Sequence, residues 1–161
     1  MTETLPPLDR IDRKILTELR KDGRLTVTEL AEKVNLSTSP CWARLKRLEN
    51  NHIIEGYTAN INAKAIGIHE LFFIEITLER HDDDILDQFS EALAHMPEVI
   101  EAHLVTGDYD YLVKVAVKNA EHYERFLRKN LYKMNGVRHT RSIFALRPLK
   151  LENKSDLMMI E

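Results

Sequence analysis

The spacing of apolar positions changes partway along the chain, and that change divides it. Leu8, Ile11, Ile15, Leu16 and Leu19 recur at helical spacing, and Asp22-Gly23 ends the run. Thr26 is placed to cap a second helix, Val27 to Val34, with Glu29 as its capping-box partner and Leu30, Ala31 and Val34 as its buried stripe. Asn35-Leu36-Ser37 reads as a short turn. A third helix is expected from Thr38 to Asn50, because Pro40 fits only in a first turn and Cys41, Leu45 and Leu48 fall on one face. Ile53, Ile54, Gly56, Tyr57 and Thr58 then read as a short β-wing.

Past residue 60 the dominant period becomes two. Glu70–Glu79, Glu98–Thr106, Tyr109–Val117 and Val137–Pro148 read as strands, and Asp83–His95 and Asn119–Lys133 as helices. The order βαββαβ is that of a ferredoxin-like domain. The expected fold is therefore α+β: an N-terminal winged helix-turn-helix (1–60), a linker (61–69), a C-terminal ferredoxin-like domain (70–150) and an unassigned tail (151–161). Strand parity adds a surface. Phe72, Ile74, Ile76 and Leu78, with Ile100, Ala102 and Leu104, are expected beneath the two helices. Phe73, Glu75 and Thr77, with Glu101, His103 and Val105, then lie on the uncovered face, which suits a partner.

Composition narrows the class. The 161 residues are 43% hydrophobic and 30% charged, which excludes a collagenous chain or one disordered throughout. No apolar run approaches the roughly 20 residues of a membrane span. The start lacks the basic and apolar regions of a secretory signal, and the single cysteine, Cys41, permits no intrachain disulfide, so a reducing cytoplasm is expected. The net charge of −3 rules out a polycation but not a local basic footprint.

That footprint falls on the third helix. From Thr38 to Leu48 it carries Arg44, Lys46 and Arg47 and no acid. Ser37, Thr38, Ser39 and Pro40 open it, where N–H groups and hydroxyls suit phosphate. Its first turns would enter a major groove, bringing Ser39, Trp42, Ala43 and Arg44 to bases or backbone and Arg47 to phosphate. Arg44 and Arg47 are expected to be exposed opposite Cys41, Leu45 and Leu48. A merely solvated basic face is the competing reading; the missing acids, the preceding turn and the wing favour double-stranded DNA.

Gly107-Asp108-Tyr109-Asp110 is the second constellation. A glycine permits close backbone approach, turn N–H groups offer donors to a carboxylate, and two aspartates supply negative charge for an ammonium. Spacing alone favours a plain hairpin turn with Asp110 solvated. His81-Asp82-Asp83-Asp84 is better explained as acids at a helix start than as a metal site, and Cys41 as small apolar filler. No convergent acid, base or nucleophile set and no phosphate-cradling motif is found, so neither enzymatic activity nor a cofactor or metal is expected.

Leu8-Asp9-x-x-Asp12, Asp22-Gly23-Arg24, Leu36-Ser37, Ser39-Pro40-Cys41, Arg44, Arg47-Leu48-Glu49 and Ile54-x-Gly56-Tyr57, followed by HLVTGDYDYLVKV (103–115) and VRHTRS (137–142), resemble the Lrp/AsnC, or feast/famine, family over about 140 residues in order. The resemblance implies a prokaryotic, cytoplasmic and nucleoid-associated transcriptional regulator. It implies a free amino-acid effector, with an aliphatic one such as leucine or methionine favoured, bound non-covalently at Gly107–Asp110 beside Leu104 and Val105, while Glu101 and His103 leave a polar effector open. Thr140 and Ser142 are weaker candidates, contributed from a neighbouring protomer. It also implies a homodimer assembling to an octamer. A side chain at Gly107 is expected to crowd the ligand and strain the turn. Two other classes are carried forward: an architectural DNA-compacting protein without ligand response, and a regulatory domain of an amino-acid-metabolic enzyme.

Overall fold

In the computed structural model, residues 7–80 and 82–149 are described, and they form two compact units that divide between Asn60 and Ile61. The tail, 151–161, lies outside the described residues, as does His81.

The first unit is built of α1 (Arg10–Lys21), α2 (Val27–Val34) and α3 (Thr38–Asn50). The first two helices begin with reciprocal caps. Asp9 accepts from the Ile11 and Asp12 amides while Asp12 accepts from the Asp9 amide; Thr26 and Glu29 do the same for α2. Asn35 ends α2 in the left-handed region, φ 58°, and turns the chain into α3. Ile15, Leu30, Ala31, Val34, Cys41, Leu45 and Leu48 form the core. Cys41 is fully buried, and burial pushes its thiol up from the ordinary value.

The expected β-wing takes another form. No strand forms over residues 51–60. The Ile53 and Ile54 amides both donate to the Leu48 carbonyl, closing α3, and both side chains pack on the core. Tyr57 folds back so that a methyl at Gly23 would lie 3.6 Å from its Cδ1, and its hydroxyl donates to Glu49 Oε1 at 3.0 Å. The arm is held by side chains, with no second strand to pair.

The second unit is a four-stranded antiparallel sheet, order β2-β3-β1-β4, with strands β1 (Glu70–Leu78), β2 (Val99–Leu104), β3 (Tyr111–Val117) and β4 (Val137–Phe144). Helices α4 (Asp83–Ala94) and α5 (Ala120–Lys129) complete it. This is the expected βαββαβ architecture. Phe72, Ile74, Ile76 and Leu78 are buried with Tyr111, Val113, Val115 and Val117 under Phe89, Leu93, Tyr123 and Phe126. The Tyr111 hydroxyl donates to the Leu86 carbonyl at 3.1 Å and lies 3.1 Å from Ser90 Oγ, which ties β3 to α4.

Two expectations about strands are corrected. Ile100, Ala102 and Leu104 are not buried: Ile100 is 53% and Leu104 63% exposed. Strand β2 is a sheet edge, and an irregularity between Val99 and Glu101 displaces Ile100 from the ladder, leaving Val99 to pack on the core. Strand β4 ends at Phe144 rather than Pro148, because β1 runs out: the Ala145 amide makes the last bond, to Leu71.

Ile74 is completely buried between both of its neighbouring strands and the helices. Ile74→Ala is expected to destabilise the second unit by about 2–5 kcal/mol, read as a lower urea midpoint at unchanged slope.

Candidate DNA interface and effector loop

On α3 the side chains expected to meet DNA separate into two groups. Ser37, Thr38, Ser39, Pro40, Trp42, Ala43, Lys46 and Arg47 are exposed, Trp42 by 53%. Ser37, the N-cap, makes no side-chain cap bond, so its hydroxyl does not engage the first-turn amides. Arg44 is half-buried. Its Nη1 bonds Asp12 Oδ1 at 3.0 Å and also Asp9 Oδ2, while Arg47 Nη2 bonds Asp12 Oδ2. Arg47 is exposed as expected, although bonded to Asp12; the expectation that Arg44 is exposed opposite the buried stripe is corrected. Asp12 is fully buried, and a carboxylate taken out of water requires charged partners. Lys46 is engaged too, with Glu49 Oε2 at 2.7 Å.

Asp9, Asp12, Glu49 and Tyr57 are the participants that the spacing of α3 did not reveal. Asp9 and Asp12 are legible as caps of α1, but their partners lie 32 and more residues away, and no local pattern reports that. Electrostatics follow the geometry. The Asp12 amide, and then the Arg44 guanidinium, hold the Asp9 carboxyl down at about 2. The Lys46 ammonium, with help from the Tyr57 hydroxyl, lowers Glu49; burial and the Glu49 carboxylate push Tyr57 up to about 12.

The second constellation lies between β2 and β3. Gly107 has φ +133°, a conformation that side chains rarely adopt. A Cβ there would meet nothing within 4 Å. The expected strain of the turn is thus found in the backbone, and within the protomer a side chain there would meet nothing. Asp110 anchors the loop: its amide donates to the Ile76 carbonyl at 2.9 Å, its carbonyl accepts from Val105 at 2.8 Å, and its Oδ2 accepts from the Leu78 amide at 2.7 Å. Gly107 and Asp108 are exposed, Tyr109 half-buried.

Leu104 is exposed and Val105 half-buried at the loop's entry. Leu104 also lines a groove of about 300 Å³ between α4 and β2, with Ser90, Leu93, Val99, Ile100 and Tyr111. Thr140 and Ser142 are not brought to the loop within one chain. They pair with Ile76 and Ile74 across β1, two strand spacings or about 10 Å from β3. Ser142 Oγ is further occupied, accepting from the Tyr123 hydroxyl at 2.6 Å.

The two units correspond to two families. Residues 8–55 match the winged helix-turn-helix DNA-binding family, and residues 71–154 match the Lrp/AsnC ligand binding domain. A DNA-reading unit joined to a ligand-binding unit defines a ligand-binding transcriptional regulator. The leucine-responsive regulatory protein of Escherichia coli K12 is 43% identical over 147 residues, which cover 91% of this chain and 90% of that one. The crystal structure of a Neisseria meningitidis transcriptional regulator in complex with L-Met superposes with a TM-score of 0.91 at 32% identity, covering 96% of this chain and all of that one. The feast or famine regulatory protein of M. tuberculosis complexed with L-methionine gives 0.82 at 33% identity, over 92% of this chain and 99% of that one. The chain belongs to the Lrp/AsnC family of transcriptional regulators.

Two outcomes follow from the paired carboxylates. Arg44→Ala leaves Asp12 Oδ1 without its guanidinium in a buried site, and should lower the stability of the first unit by about 1–3 kcal/mol in urea unfolding. The depressed Asp9 carboxyl contributes stability that is complete above pH 3.8 and fades as pH falls toward about 2. Asp9→Asn keeps the N-cap acceptor but not the charge, so it should flatten the acid limb of the unfolding midpoint in that window.

Proposed function

We propose that the chain binds double-stranded DNA through the exposed side of α3 and that a free aliphatic amino acid, leucine or methionine, sets its assembly or its hold on DNA. Ser37, Thr38, Ser39, Pro40, Trp42, Ala43, Lys46 and Arg47 form the proposed DNA face. Arg44 is turned toward α1 and contributes indirectly.

The observation that carries the sensing half is the Gly107 hairpin: exposed, glycine-dependent through its φ of +133°, and stitched at its base to the central strand by Asp110. Donors of the turn at Gly107 and Asp108 suit the effector carboxylate, the carboxylates of Asp108 and Asp110 suit its ammonium, and Leu104 and Val105 suit an aliphatic side chain. Two relatives of similar fold are described as complexes with methionine, and a third as leucine-responsive, which supports the same ligand class here.

Assembly is part of the reading. The sheet face opposite the helices carries half-buried Phe73, Leu112 and Ala116 and exposed Ile143, with Glu75, Lys114 and Arg141 among them. Pairing two such faces gives a dimer that presents two copies of α3 to two half-sites, and dimers then join into an octamer. Thr140 and Ser142 are proposed to approach the loop of a neighbouring protomer, since within one chain they lie across β1 from it. A site completed by two protomers couples ligand to assembly by its differential affinity. The protein is proposed to work in the cytoplasm on the nucleoid, without enzymatic activity and without a metal or other cofactor.

Calorimetry against the proteinogenic amino acids at millimolar concentration is expected to give heat with leucine or methionine. Gly107→Val should remove it while the protein still retards its own upstream DNA in gel shifts. No heat from any amino acid would leave a plain hairpin and favour the architectural reading. In light scattering the wild type should exceed the 18.8 kDa of one chain several-fold, and Phe73→Glu should shift the mass down toward it.

A further inference from the structure

Among the described residues Asp12 is the one charged side chain that is completely buried, and both of its oxygens are spent on α3: Oδ1 on Arg44, Oδ2 on Arg47. Arg44 and Arg47 stand three apart on α3; Asp9 and Asp12 stand three apart on α1. The result is a two-by-two clamp between helices that the chain separates by more than 30 residues.

We propose that Asp12 is a positioning residue for DNA reading, which holds both arginines against α1 and so withholds Arg44 from DNA and leaves discrimination to the uncharged side chains of the opposite face. The proposal rests on the DNA-binding reading of α3. Arginine is the commonest specific reader of guanine, yet a free guanidinium also binds any phosphate regardless of sequence. Moving Arg44 from Asp12 to a DNA phosphate would leave a carboxylate buried with part of its charge unmet, so the exchange is disfavoured, whereas exposed Arg47 meets Asp12 through Nη2 and can face phosphate without leaving it. Arg44 is fixed further by Asp9, on the same Nη1.

What the clamp leaves pointing outward is a different chemistry. Ser39, Ala43, Lys46 and Asn50 follow at i, i+4, i+7 and i+11 and are all exposed, with the indole of Trp42 on their flank. A hydroxyl, a methyl and an indole suit hydrogen bonding at base edges and apolar contact with thymine methyl groups. The one cation of this row, Lys46, is held by Glu49.

The test uses the full chain. Duplexes enriched by the wild type from a random-sequence library, and scrambled duplexes of equal length, are titrated across a salt series with wild type, Asp12→Asn and Arg44→Gln. Asp12→Asn frees two guanidiniums, so it should bind scrambled DNA more tightly, with a log–log salt slope steeper by about one to two. Its preference for the selected duplex should fall by about tenfold or more. If circular dichroism shows that this variant does not fold, Arg44→Gln carries the test: preference falls while the slope does not shrink. A purely structural role would weaken both duplexes alike with preference and slope unchanged, and that result overturns the proposal. So does a slope shallower by about one in Arg44→Gln, which would mean that Arg44 meets phosphate directly. A wild type that enriches no sequence would instead count against the DNA-reading role proposed for α3 and favour the architectural class.

Discussion

A carboxylate with no exposure to water has to be met by charge, and the reading unit is organised around one such group. Asp12 caps α1 through the Asp9 amide and receives two guanidiniums from α3. Removing an arginine would leave part of the Asp12 charge unmet where solvation is lost, a heavier penalty than the loss of an exposed ion pair. The start of the first helix, the seating of the third and the reach of its arginines are therefore one constraint. That makes α1 more than a scaffold, because what it takes fixes which side chains α3 presents to solvent.

The second unit answers to a different constraint, the two-residue period of β1. As an interior strand it places every second side chain in the core and the alternate ones on the open face. The Gly107 hairpin inherits its geometry from that strand. Asp110 fastens one stem to Ile76 and Leu78, while Gly107 and Asp108 at the tip stay exposed. A group that binds at the tip thus pushes against a fixed base, and Tyr111, next along β3, passes the restraint to α4 through Leu86 and Ser90.

Much of this was legible in the sequence, and the exceptions share a cause. Helices α2 and α3, the Thr26–Glu29 box and the buried face of β1 are local patterns, written within a few residues, and they stand as read. The β-wing, the burial of Ile100, Ala102 and Leu104 and the freedom of Arg44 depended on which distant element lies opposite. Tyr57 found Glu49 and not a second strand; β2 lies at an edge; Arg44 found Asp9 and Asp12. Parity assigned Ala102 and Leu104 to the correct side of the sheet, but it says nothing of how far the helix above extends. Gly107 was picked out as a position where a side chain would strain the turn, and its φ of +133° supplies that strain.

The lone cysteine offers something else. Cys41 is completely buried at the point where α3 meets the rest of its unit, and burial disfavours its thiolate. A thiol reagent can reach it only when α3 lifts away, so the rate at which the intact protein is alkylated is a clock for the opening of the DNA-reading unit alone. With no other sulfhydryl in the chain, that clock runs without a label, a mutation or a background signal. The same burial makes the reader indifferent to mild oxidants that would silence an exposed thiol.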